Sequence, residues 1–277
     1  MNKSFICGIR GFTLVEMVIS ITILGIVSAT VAGFIGPTIR GYVDTERRAE
    51  MSDAADTTLR RIASDIRAAL PNSLRGPNPA SSACFEFIPT IGGGGYRAVT
   101  SNTGTGNILD FTTTDISFDY LAGSVPSAAG NRIVIWNMGT RGPVTPAADA
   151  YVGDNSAVIA SATATTVTLS AAKQFPYESP DHRFFVIPSS TTIYSCTGGA
   201  TGRLIRTTRT ISSTPMSVCP ATGTVVVNNV DCTASRFDFT ADALSNFGLL
   251  SMSLVVSDPD SGERIRMYKE VKVDNVP

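Results

Sequence analysis

The chain has 277 residues, 43% of them apolar and 16% charged, with 22 Lys and Arg against 23 Asp and Glu. The length suits one medium domain or two small ones, and the apolar content excludes a disordered chain. Balanced charge without a basic patch argues against nucleic-acid binding, which needs Lys and Arg to displace counterions from phosphates, and a single histidine, His182, excludes any site built on two imidazoles.

Residues 1–11 (MNKSFICGIRG) carry Lys3 and Arg10 and lead into FTLVEMVISITILGIVSATVAGFIGPTI. From Met17 to Ile39 there are 23 residues without an ionisable side chain. At roughly 1.5 Å per residue this reaches across a hydrocarbon core of about 30 Å, so Met17 to Ile39 is expected to be transmembrane. Lys3 and Arg10 precede it with no acid beside them, and the positive-inside rule keeps Met1 cytoplasmic and sends the remainder across. The plainer reading is an ordinary secretory signal cleaved near Ala32. Such signals have an apolar region of about 7 to 15 residues, whereas this one is longer and continues into a charged, helix-patterned segment. Glu16 also counts against it, because a carboxylate early in an apolar stretch costs a few kcal/mol in lipid and calls for a partner.

The run Gly11-Phe12-Thr13-Leu14-Val15-Glu16 resembles the processing site of type IV prepilins and type II secretion pseudopilins. The resemblance implies cleavage between Gly11 and Phe12 by a membrane aspartyl prepilin peptidase, which also methylates the new amino group. Residues 1–11 are then a leader and Phe12 an N-methylated terminus. It further implies that Glu16 neutralises the Phe12 amine of a neighbouring subunit within the lipid, which is the partner its burial demands. With Lys3 and Arg10 removed, 20 basic side chains face 23 acidic ones, a formal charge of −3.

Residues 12–39 read as the transmembrane and assembly helix and residues 40–75 as its amphipathic half. Leu59, Ile62, Ala63, Ile66, Ala69 and Leu70 recur at three- and four-residue steps, one apolar helix face. Asp44 with Arg48, Asp56 with Arg60 and Arg61 with Asp65 lace the opposite, solvated face. Pro37 and Gly41 are expected to kink or loosen the helix, and Pro71, Gly76, Pro77 and Pro79 to end it. Residues 76–277 form a β-rich extracytoplasmic domain, with period-two runs at 84–89, 107–111, 116–121, 132–137, 165–170, 183–188, 192–196, 203–208, 224–228 and 235–240. A C-terminal hairpin is the clearest, 248–257 and 263–273 about an Asp-Pro-Asp-Ser-Gly turn. In its second strand Ile265, Met267, Val271 and Val273 share one face, and Arg264, Arg266, Glu270 and Lys272 the other. The fold class is therefore α+β, a long N-terminal helix packed on an antiparallel, strand-rich domain, which is the overall shape of the pilin family that the motif resembles.

Little in the domain suggests chemistry. Asp181-His182 is the only acid–imidazole neighbour pair, but no G-x-S-x-G elbow accompanies it, and neighbours in a strand point to opposite faces. Gly92 to Gly95 lack the lysine and helix start of a phosphate loop and read as a flexible hairpin tip. Asp258, Asp260 and Glu263 could surround calcium, but Pro259 and the spacing suit a turn better than a calcium loop. Trp136, Tyr96, Tyr151, Tyr177 and Phe184 could line a carbohydrate surface and read more simply as core. No catalytic residue, metal, cofactor or small-molecule substrate is expected. No C-x-x-C pair is present; once Cys7 leaves with the leader, Cys84, Cys196, Cys219 and Cys232 suit two disulfides in an oxidising compartment. Three pairings are open, and Cys196 with Cys219 closes a local loop.

The segments 179–187, 192–206, 228–239 and 272–277 resemble the MshO family, minor prepilin-like proteins of the mannose-sensitive haemagglutinin (MSHA) type IV pilus. This implies a role in initiation or tip assembly, with the prepilin peptidase and other minor and major pilins as partners. It also implies a bacterial inner-membrane location with a periplasmic domain before assembly. The alternatives are a J-type minor pseudopilin of a type II secretion system and a tip adhesin serving cell adhesion.

Overall fold

In the computed structural model the described residues are 11–126, 130–139, 147–241 and 247–274. Residues 1–10, with Lys3, Cys7 and Arg10, lie outside them. One helix, α1, runs from Leu14 to Arg67 and passes through Pro37 and Gly41 without a break in its helical backbone. The chain divides into two compact units, Met1–Glu50 and Met51–Pro277. The boundary falls inside α1, so its last seventeen residues belong to the second unit.

In that unit Met51, Ala55, Thr58, Leu59, Ile62, Ala63 and Ile66 are buried, at the expected three- and four-residue steps. The helix stops at Arg67, short of residue 75, because the next backbone groups are captured by a strand. The Leu70 N–H donates to the Ile88 carbonyl (2.8 Å), and Arg75 and Glu86 exchange two hydrogen bonds of 2.9 Å. Pro71, without an N–H, also cannot continue the helical ladder.

From there β1 (Cys84–Phe87) leads into β2 (Gly92–Tyr96), β3 (Asp115–Ser124), β4 (Arg132–Ile135), β5 (Ser156–Ala162), β6 (Thr166–Lys173) and β7 (Arg183–Ile187). The chain then makes β8 (Ser190–Thr197), β9 (Gly202–Thr210), β10 (Thr224–Val230), β11 (Arg236–Ala241), β12 (Phe247–Ser257) and β13 (Arg264–Asp274). Strands β2 to β7 close an antiparallel barrel in the order β2-β3-β6-β5-β4-β7. The others form a seven-stranded sheet, β1-β8-β9-β10-β12-β11, with β13 also paired to β12. The barrel is thus inserted between β1 and β8, which are themselves sheet neighbours with Phe87 opposite Thr192.

One core lies between the buried face of α1 and the sheet and includes Phe85, Phe87, Tyr194, Leu204, Leu250, Leu254 and Val271. The barrel has its own, with Tyr96, Phe118, Ile133, Val167, Phe175 and Phe184. A third, smaller cluster of Leu70, Ile88, Val134, Ala150, Tyr151 and Ile187 sits where barrel and sheet strands join. Asp65 departs from the expected pairing with Arg61: it accepts from the Tyr194 hydroxyl (2.8 Å) and lies 3.3 Å from Arg206 Nε, which ties the helix to the sheet. Arg60 and Asp56 pair as expected, at 2.5 Å.

Three strand expectations need correction. Residues 107–111 form a loop, because Asn107 is held by the Ser117 carbonyl (2.8 Å) and the Asp119 carboxylate (3.0 Å), while Leu109 is buried in the barrel and Phe111 packs against its core. β5, SAVIASA, has too many small residues to stand out as a strand, yet its Ala157 and Ile159 are buried. The glycine run 92–95 is no hairpin tip but strand β2, paired on both sides. A Cβ on Gly94 would lie 2.0 Å from the Ala122 carbonyl oxygen, and one on Gly93 would lie 2.7 Å from that of Phe184. Only glycine lets these backbones approach so closely.

The disulfides join Cys84 to Cys219 and Cys196 to Cys232, not Cys196 to Cys219. The alternation of strands explains the correction. Cys84 faces Ser195 across the β1–β8 ladder, so Cys196, the next residue, points to the other side of the sheet. Cys196 belongs to the core under α1, whereas Cys84 and Cys219 pack with Ile193 and Met216 on the opposite face.

Candidate processing and assembly segment

Residues 11–13 are non-helical, and α1 begins at Leu14. Thr13 caps it: its hydroxyl accepts from the Glu16 N–H (3.3 Å), and its carbonyl from the Met17 N–H (3.1 Å). Thr13-Leu14-Val15-Glu16 has the T-x-x-E spacing of a capping box, and an acid in the first turn is favoured by the helix dipole. The Gly11–Phe12 bond therefore lies one residue before the cap, outside the helical ladder and exposed, with Phe12 at 74% accessibility. Among the described residues nothing lies within 4 Å of where a Cβ on Gly11 would be. The described part of the fold therefore does not require glycine there.

Beyond the cap, every residue from Leu14 to Ile35 is exposed. A row of bare Val, Ile, Leu and Met of this length is stable only against lipid or other apolar helices. The helix is long and apolar enough to cross a membrane. Its polar residues suit that setting: the hydroxyls of Ser20, Thr22, Thr30 and Thr38 donate to the carbonyls of Glu16, Val18, Ile26 and Phe34, at 2.7, 2.7, 3.1 and 2.9 Å. Each hydroxyl proton thus has an acceptor within the helix, which lipid cannot supply. The sequence holds the signal for this, since each of these four hydroxyls reaches the carbonyl four residues before it. Among the described residues no cation makes a salt bridge with Glu16, so any counter-charge comes from outside them.

The remaining candidates are structural. Asp181 pairs with Arg183 (2.5 Å) and not with His182, whose Nδ1 lies 3.2 Å from Glu178 and whose ring packs on Tyr96. Asp258 closes the β12–β13 turn by accepting from the Asp260 N–H (3.0 Å) and the Ser261 hydroxyl (2.7 Å), and among the described residues no acidic, His or Cys group of metal-binding size occurs. Tyr96, Tyr151 and Phe184 are interior, and Trp136 packs against the barrel core.

Sequence reading missed Glu86. It is fully buried in β1, on the sheet face away from α1, and receives Arg209 Nε (2.6 Å) and Nη2 (2.7 Å), Arg75 Nε (3.0 Å) and the Thr191 hydroxyl (2.7 Å). Burial alone would push its carboxyl up, but these hydrogen bonds and the charges of Arg209 and Arg75 outweigh it and hold it below the usual carboxylate value. The Arg75 guanidinium stacks 3.3 Å from the Tyr151 ring centroid, and the Tyr151 hydroxyl donates to the Ser73 carbonyl (2.8 Å). With all four hydrogen bonds to Glu86 coming from within the chain, the cluster fastens the segment after α1 to the sheet.

Residues 8–32 match the family model described as the prokaryotic N-terminal methylation motif. No curated protein and no solved structure matches the chain. The motif and the apolar helix that it opens fit a membrane-anchored, type IV pilin-like protein, and such proteins are structural rather than catalytic. The motif implies processing by a prepilin peptidase and assembly with other pilins.

Proposed function

We propose that this chain is a minor pilin-like subunit, cut between Gly11 and Phe12 and N-methylated on Phe12, that takes part in initiation or tip assembly of an MSHA-type pilus. The observation that carries the pilin-like part is the methylation motif at residues 8–32, set at the start of an exposed apolar helix. The narrower MSHA assignment rests on the likeness of segments 179–187, 192–206, 228–239 and 272–277 to the MshO family. The apolar helix holds the precursor in the inner membrane, and cleavage frees the Phe12 amine. Glu16 of an incoming subunit then pairs with such an amine, because two opposite charges in lipid stabilise each other far more than in water.

Mass spectrometry of the N-terminal peptide from membranes of an expressing cell tests the reading. An N-methylated Phe12 is the expected result; an intact Met1 or a start near Gly33 would overturn it. Gly11→Val is expected to abolish cleavage and leave the folded domain unchanged, since a Cβ there meets nothing among the described residues. Glu16→Ala is expected to be cleaved normally but to be lost from fibres, and its full incorporation would sink the charge-pairing step. Deleting MSHA-pilus genes separates the readings further: a chain secreted into a type II pseudopilus would be indifferent to them.

A further inference from the structure

Strand β13 pairs with β12 through eleven consecutive residues, from Arg264 opposite Ser257 to Asp274 opposite Phe247, with no shift in register. Among the described residues no strand pairs with its other edge. The direction of the groups on that edge follows from β12. The Val255 N–H donates to Ser235 Oγ (2.9 Å) and its carbonyl accepts from the Asp231 N–H (2.9 Å), both on the side of β10 and β11. Odd-numbered residues of β12 thus face away from β13, and in an antiparallel ladder the residues opposite them also turn their N–H and C=O groups outward. On β13 these are Arg264, Arg266, Tyr268, Glu270, Lys272 and Asp274. A long strand edge of this kind is a template for another strand, and neither a proline nor a bulge interrupts it.

The outward side chains have both signs of charge in a self-complementary order. We propose that β13 is a self-association edge, to which a second copy of this chain adds its own β13, antiparallel, about a two-fold axis at Tyr268. In this register residues 264–272 of both copies overlap. Each Arg266 lies opposite Glu270 of the second copy, and Tyr268, 61% exposed, meets its own counterpart at the centre. On the other face Ile265 lies opposite Val271 of the second copy, extending the apolar face of the sheet. Opposed charges and apolar pairs directly across a ladder are the favourable units of strand pairing. At the ends Arg264 meets Lys272 of the second copy, but Arg264 is already paired with Asp231 of its own chain (2.8 Å). Sliding the copies by two residues one way sets Arg266 against Lys272; sliding them the other way shortens the overlap to 264–270.

The test is site-specific oxidation of the full chain in its membrane, with Cys7 replaced by Ser. Tyr268→Cys is expected to give a disulfide-linked dimer, since opposed Cβ atoms in the proposed pair lie about 5 Å apart. Chains with Arg266→Cys and chains with Glu270→Cys are expected to link to each other when mixed. Arg264→Cys should not link to itself, its two copies being about 27 Å apart at ~3.4 Å per residue. Glu270→Arg in the Tyr268→Cys background is expected to cut the dimer yield about tenfold, and adding Arg266→Glu to restore it. Association through the apolar helix alone would give dimers without this residue pattern. A monomeric Tyr268→Cys, equal linking of Arg264→Cys, a yield indifferent to Glu270→Arg, or linkage of Tyr268→Cys only to a chain of different mass would each overturn the proposal.

Discussion

Along one continuous helix, Leu14 to Ile35 bury nothing, whereas Met51 to Arg67 bury seven side chains against the sheet. Two carboxylates repeat the contrast. Glu86 is fully buried and takes four hydrogen bonds from Arg75, Arg209 and Thr191, while Glu16 is exposed in an apolar surface with no cation beside it among the described residues. The second stretch is complete within the chain. The first is written for surroundings that the chain does not contain, and its residues make sense only through lipid, a peptidase and neighbouring subunits.

Apolar truncation probes this contrast with the largest effect. Ile62→Ala removes a side chain with no exposure from the core under α1 and is expected to cost about 2–5 kcal/mol in denaturant unfolding. Ile23→Ala, on the exposed stretch, should change domain stability by less than about 0.5 kcal/mol. Equal losses would mean that the exposed stretch packs on the domain after all. The carboxylates come next. Glu86→Ala strands Arg75 and Arg209 and is expected to cost about 3 kcal/mol, against no measurable change in domain unfolding for Glu16→Ala.

Acid sharpens the same comparison. Because the Glu86 carboxyl is held below its ordinary value, the native state binds that proton less readily than the unfolded chain. Its contribution is complete above the unfolded carboxylate value of about 4.3 and fades as pH falls from there through the lowered folded value. Asp149 opposes this: burial raises its carboxyl, so its cost is relieved on acidification. Unfolding midpoints between neutral pH and pH 3 should fall more steeply in the wild type than in Glu86→Ala, and parallel curves would remove Glu86 as the cause. The smallest effect belongs to Asp65→Asn, which weakens a half-exposed link to Tyr194 and Arg206 and should cost less than about 1 kcal/mol.

The helix and the C-terminal hairpin were legible because their periods are regular: Leu59, Ile62 and Ile66 at helical spacing, and Ile265, Met267, Val271 and Val273 in alternation. The methylation motif and the apolar run were legible because both are local. What escaped was non-local. Gly92 to Gly95 look like a loose loop until the carbonyls of Ala122 and Phe184 are seen pressing on them. The disulfide pairing depends on which side of the sheet Cys84 and Cys196 each face, and that is set by the β1–β8 register. Glu86 reads as an ordinary strand charge because its partners lie 11, 105 and 123 residues away.

The placement of the barrel has a consequence for how the chain can change. β1 and β8 are antiparallel neighbours, and everything from Ile88 to Ser189 occupies the position of a connecting turn between them. The barrel carries its own core, and the Cys84–Cys219 bond ties the start of β1, the strand that precedes it, to the loop between β9 and β10. A chain with a tight turn in its place is expected to keep the β1–β8 ladder and the core under α1, and to lose the small cluster around Val134, Ala150 and Tyr151 together with the bonds from Asn137 to Pro71 and from Tyr151 to Ser73. A chain organised in this way can vary its barrel while the helix-and-sheet core keeps its own packing.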